Sequence, residues 1–203
     1  MMFAATVLFG VFALRLEISR LAGLFFVALL VLCNYLTIRW ARSEVAERNE
    51  ERTPETSVRA SLWLTGIGLV LLLGGAHVLV VGAVALARGI GLSDFVIGVT
   101  LVAVGTSLPE LATSFAAGLR NEVDLVVGNI VGSNLFNILG ALGMAAVVRP
   151  IPIDEELLRF EIPALAVLTG AMVVFLFTGR KVSRVEGFLL LAGYALFVFF
   201  AVR

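Results

Sequence analysis

The chain has 203 residues, of which 60% are hydrophobic and 15% charged, and its mean hydropathy is +1.06. This excludes a soluble domain and leaves an all-α polytopic membrane protein, with membrane lipid as its surroundings. Basic and acidic side chains number 15 each, so no charge excess favours nucleic acid; one cysteine and one histidine exclude an intrachain disulfide and a Cys- or His-built metal centre.

Seven apolar segments follow one another, at roughly 1–14, 21–38, 62–87, 95–118, 125–148, 162–178 and 185–202. A bilayer span takes about 20 residues. The first segment is shorter and begins at Met1 without a basic flank. The chain is therefore expected to start inside a helix, with no cleaved signal peptide. Cys33 reads as a small buried apolar residue. His77 reads as a polar residue within a helix or near an interface, a proton-relay role being the alternative. Arg39 to Arg59 is the only long polar stretch, and its mixed charges suit a solvated helix end plus a linker. The organisation is thus two helices in 1–38, a linker over 39–61 and a five-helix unit in 62–203.

The two ends resemble each other. Ile18-Ser-Arg-Leu-Ala-Gly23 precedes one apolar run, and Val182-Ser-Arg-Val-Glu-Gly187 precedes another 164 residues later. Five segments separate equivalent positions, and an odd number inverts the second copy relative to the first. Inverted repeats are a signature of secondary transporters with a midplane ion site. The chain would then hold all five helices of a second repeat and the last two of a first. With the linker placed in the cytoplasm, the loops on that side carry nine Lys and Arg against six opposite. That bias predicts a cytoplasmic linker and an external C-terminus, with Tyr35, Trp40 and Trp63 near the interfaces.

Two motifs interrupt the apolar pattern. In Gly105-Thr-Ser-Leu-Pro-Glu110, a carboxylate lies at membrane depth, where ionisable groups are expensive and face a partner, a cavity or an ion path. Gly105 and Pro109 break the helix, and the Pro109 ring frees the carbonyl of Gly105. Thr106 and Ser107, four and three residues before Glu110, fall near its face if the segment is helical. Hard cations such as calcium and sodium want oxygen ligands, calcium about 6–8 of them. One carboxylate, two hydroxyls and the carbonyls near Ala103 and Gly105 fit that demand. In Gly128-Asn-Ile-Val-Gly-Ser-Asn134 and beyond, Asn129, Ser133 and Asn137 recur every four residues as a polar stripe whose side-chain oxygens are further candidate cation ligands. Gly128 and Gly132 are read as a further helix-breaking or close-packing pair. Gly89, Gly91, Gly140 and Gly143 are read as helix ends or close-packing positions. Arg120, Glu122 and Asp124 are taken as loop charges, and Asp154, Glu155, Glu156 and Glu161 as an external surface loop.

Ser93 to Val147 resembles the alpha repeat of the sodium/calcium exchanger family, within the calcium/cation antiporter superfamily. The resemblance rests on Ile97-Gly-Val-Thr-Leu-Val-Ala-Val-Gly-Thr-Ser-Leu-Pro-Glu110 and Val127-Gly-Asn-Ile-Val-Gly-Ser-Asn-Leu-Phe-Asn137, and it extends more loosely over nearly the whole chain. It implies ten helices in two inverted five-helix repeats, four cation sites where the repeats' motif pairs meet, and alternating-access exchange of sodium for calcium. Carried over, it implies Glu110 as the acidic ligand, Thr106 and Ser107 as neighbouring oxygens, Ala103 as a carbonyl donor, and Ser133 and Asn137 lining the site. Many members have Asp at the position of Asn137, so this chain lacks one charge there. No second motif of either kind occurs in it.

The expected function is secondary antiport of calcium or another divalent against sodium, or against protons if Glu110 titrates. The chain would supply one half of the ion site and would not act as an enzyme. No cofactor is expected, calcium and sodium being transported ions. One carboxylate neutralises a divalent ion poorly at low dielectric, so a missing first repeat is expected to complete the site. The alternatives are a half-size transporter pairing with a second copy of itself, and a non-transporting membrane protein. The absence of regulatory domains in the linker suggests a prokaryotic inner membrane.

Overall fold

The computed structural model describes residues 1–47, 58–179 and 182–201. Helices cover every apolar segment of the sequence: α1 (Met2–Ala13), α2 (Arg20–Glu47), α3 (Val58–Gly89), α4 (94–106), α5 (Leu108–Leu119), α6 (Val123–Val148), α7 (157–179) and α8 (Arg184–Ala201). Five of them, α2, α3, α6, α7 and α8, are each long and apolar enough to cross a bilayer. Large apolar side chains point outward throughout, among them Leu21, Trp63 and Phe177, as lipid-facing helices require. Helix therefore occupies both ends of the 39–61 stretch expected to be a linker, and residues 48–57, Arg180, Lys181 and Arg203 lie outside the described residues.

A two-residue ribbon joins two of the connections between helices. β1 (Glu17–Ile18) pairs antiparallel with β2 (Ile151–Pro152), Ile18 opposite Ile151, and the Ile153 amide adds a bond to the Leu16 carbonyl at 2.9 Å. The α1–α2 and α6–α7 connections therefore share one side of the bundle. That requires an even number of passes between them, which holds only if α4 and α5 count as one interrupted span.

The core lies where α1, α2, α6 and α7 meet. Phe26, Ile18 and Leu139 are fully buried there, with Ala22 and Ala146 beside them. α2 and α6 touch backbone to backbone. A Cβ on Gly23 would stand 2.6 Å from the Gly143 carbonyl oxygen and 2.8 Å from the Val147 nitrogen. Gly143 is thus a close-packing position, as its sequence context suggested, and Gly140 is another, against Leu30. Gly10 of α1 receives the Ile162 side chain of α7. Cys33, expected to be buried, is only half-buried and lines a groove between α2 and α6.

α3 stands apart from this core. Its best-covered residues, Ala76, Val80, Ala83 and Ala87, mark the face turned to α4. The glycines of α3, Gly68, Gly75 and Gly82 among them, lie off that face, and a Cβ on any of them would meet nothing within 4 Å. His77 is exposed on this helix.

The resemblance between the chain's ends has a structural counterpart. The Ser19 hydroxyl accepts from the Ala22 amide at 3.3 Å, and the Ser183 hydroxyl accepts from the Glu186 amide at 3.3 Å. Each serine caps the helix that follows it.

Candidate cation-binding site

The break in the first motif falls at Ser107. α4 ends at Thr106, α5 begins at Leu108, and Ser107 between them has φ −92° and ψ 2°. Pro109 is one cause, since its ring nitrogen has no hydrogen to give the Gly105 carbonyl. The local hydrogen bonds tighten to compensate: the Ser107 amide donates to the Val104 carbonyl at 3.1 Å, and the Thr106 hydroxyl to the Ala103 carbonyl at 3.1 Å. Gly105 is buried one step before the break, and its role is packing, because a Cβ there would overlap the Val80 side chain of α3.

Glu110 stands in the first turn of α5, where the helix dipole and the unpaired amides favour negative charge. Its Oε2 is buried with no hydrogen-bond partner among the described residues. Thr106, Ser107 and Ala103 beside the break are exposed, with Glu110 half-buried below them.

The second motif faces α5. Asn129 and Ser133 are half-buried, and the Asn129 amide nitrogen donates to the Glu110 carbonyl at 2.9 Å, to Thr113 Oγ1 at 3.0 Å and to Ser114 Oγ at 2.9 Å. Ser133 turns its hydroxyl back to the Ile130 carbonyl at 3.2 Å. Asn137 is exposed and no hydrogen bond among the described residues ties it to α5. A π-helical turn over Phe136–Leu142 begins just before it. A second π turn, Gly98–Val102, precedes the first motif.

Two expectations need correcting. Gly128 and Gly132 do not break the helix: α6 is regularly α-helical over Val123–Leu135. Nor do they seat another helix, since a Cβ on either meets nothing within 4 Å; they line an open groove of about 390 Å³ shared with Asn34 and Thr37 of α2. Glu161 does not belong to a surface loop. It lies in the π turn Leu157–Glu161 of α7, and its Oε2 is buried without a partner among the described residues. Thr113 and Ser114 join the site unanticipated. Their signal was present, for they follow Glu110 by three and four residues and share its face. Among the described residues no group of three or more His, Cys, Asp or Glu side chains converges.

Comparison with known proteins follows the same residues. The family model described as sodium/calcium exchanger protein matches residues 60–203. The putative antiporter CaxA of Alkalimonas amylolytica is 38% identical over 188 residues, covering 88% of this chain and 59% of its own. The inner membrane protein YrbG of Escherichia coli is 40% identical over 137 residues, 68% of this chain and 42% of its own. The sodium/calcium exchanger MaX1 of Methanosarcina acetivorans is 39% identical over 115 residues, 57% of this chain and 32% of its own. The chain thus spans less than two thirds of the length of these relatives. No solved structure matches it.

Proposed function

The chain belongs to the sodium/calcium exchanger family, and from that membership we propose that it supplies one half of the cation site of a secondary antiporter exchanging calcium for sodium by alternating access. The observation that carries the reading is the Glu110 carboxylate, half-buried at the helix break with one oxygen unpartnered. An unpaired buried carboxylate oxygen is expensive, and a cation is the partner that removes the cost. Thr106, Ser107 and the carbonyls around the break offer further oxygens above it, and Ser133 and Asn137 offer theirs from α6. Transport, not covalent chemistry, is what these groups serve.

A single carboxylate leaves a divalent ion undercompensated in a low-dielectric site. We therefore assign the second carboxylate to helices outside this chain, those of a first repeat or of a second copy. Two observations support that assignment. The relatives are longer than the matched region, and a Cβ on any glycine of α3 would meet no other described residue within 4 Å. The host is read as a prokaryotic inner membrane, with the 39–61 stretch cytoplasmic and the C-terminus external.

The test is sodium-gradient-driven calcium uptake into liposomes holding this chain, alone and with the N-terminal part of a longer relative. Uptake in either sample that Glu110→Gln abolishes is the expected result. Uptake that Glu110→Gln leaves unchanged would remove Glu110 from the site. Uptake driven equally by a proton gradient without sodium would reassign the coupling ion.

A further inference from the structure

Asn129 was expected to be an oxygen ligand, and its hydrogen bonds give it different work. One of its three acceptors is the backbone carbonyl of Glu110, at 2.9 Å. A peptide oxygen can only accept, so the atom facing it is the amide nitrogen. A flipped amide would set oxygen against oxygen. The Thr113 hydroxyl directs its proton to the Pro109 and Glu110 carbonyls, each at 3.0 Å, and so presents lone pairs to Asn129. The Ser114 hydroxyl accepts at 2.9 Å. The nitrogen is thereby committed to α5, and this tie holds whichever way the amide oxygen is used.

All three acceptors belong to the first two turns of α5, immediately behind the break. The start of that stretch lacks part of the regular helical bonding. Pro109 removes one backbone donor, and Ser107 interrupts the regular bonding before it. We propose that Asn129 is a positioning residue: it ties the start of α5 to α6 and thereby sets where Glu110 presents its carboxylate to the cation. The proposal rests on the reading of Glu110 as a cation ligand.

Asn129→Asp separates the two roles, because it keeps the shape and turns the donors into an acceptor. A ligand would bind calcium as tightly or more tightly with the added charge. A clamp would be lost, its new carboxylate facing the Glu110 carbonyl. The full chain in detergent, together with the N-terminal part of a longer relative that completes the site, is followed by two measurements. Hydrogen exchange over residues 108–114 without cation reads the clamp itself. The calcium concentration giving half of the calcium-induced rise in unfolding temperature reads the site.

Asn129→Asp is expected to speed that exchange and to raise the half-effective calcium concentration at least tenfold. Ser114→Ala, which removes one acceptor and spares the amide, is expected to move both in the same direction, the calcium value by about fivefold. It stands in where Asn129→Asp does not fold. Asn137→Asp, a charge added at a position read as a ligand, is expected to lower the calcium value. Unchanged exchange in both Asn129→Asp and Ser114→Ala overturns the clamp, and so does calcium binding as tight as in the parent chain. A calcium response that Glu110→Gln leaves intact overturns the cation reading instead, and the positioning role with it, whatever the exchange shows.

Discussion

A glycine can be a spacer or an empty place, and the chain has both kinds. At Gly23 a methyl group would meet the Gly143 carbonyl and the Val147 nitrogen, which are backbone and do not yield. Gly23→Ala is therefore expected to destabilise the folded chain by about 1–3 kcal/mol, seen as a lower unfolding temperature in detergent. Gly105→Ala should do the same through Val80, and truncating Val80 to Ala in that background should restore much of the loss. Gly128→Ala meets open space in a regular helix, so the sign reverses. Removing a helical glycine there should add about 0.5–1 kcal/mol. A fall in stability for Gly128→Ala would mean that the groove is closed in the protein tested.

Elements in this chain begin and end for local reasons. α8 opens with a reciprocal cap: the Ser183 hydroxyl takes the Glu186 amide at 3.3 Å, and the Glu186 carboxylate takes the Ser183 amide at 2.7 Å. α2 opens with only the serine half of that arrangement, having Ala22 where α8 has Glu186. Ser183→Ala should cost about 1 kcal/mol and speed hydrogen exchange in the first turn of α8. Ser19→Ala should cost less, because the start of α2 is also held by packing around Ala22 and Phe26. Equal losses at the two sites would show that the packing around Ala22 and Phe26 does not hold the start of α2. The cap and the Pro109 break were both legible in the sequence, since each depends on residues within four positions of one another. The π turn at Phe136–Leu142 was not, since no short-range residue pattern marks it.

At the scale of the whole molecule, the β1–β2 ribbon and the parity of the passes make sidedness testable. In a Cys33→Ser background, Arg15→Cys and Asp154→Cys should react with a membrane-impermeant thiol reagent from the same side. Asn121→Cys, in the α5–α6 connection, should react from the other. The charge bias further places Asp154 outside and Asn121 inside the cell. Labelling of Arg15→Cys and Asp154→Cys from opposite sides would break the ribbon. Labelling of Arg15→Cys and Asn121→Cys from one side, with Asp154→Cys reacting from the other, would remove α4–α5 as a span.

The sequence by itself determined the membrane class, the positions of the apolar segments, the family motifs and the place of the helix break. Each is a matter of composition or of near neighbours along the chain, where hydropathy, a missing proline N–H and helical periodicity act directly. Only the tertiary structure decided which helices touch. Gly23 lies 120 residues from Gly143, and Asn129 lies 15 to 19 residues from its three acceptors across a turn. The same local GxxxG pattern that suggests a packed interface at Gly128 and Gly132 is left open, because close packing belongs to the pair of surfaces and not to either strand of sequence alone.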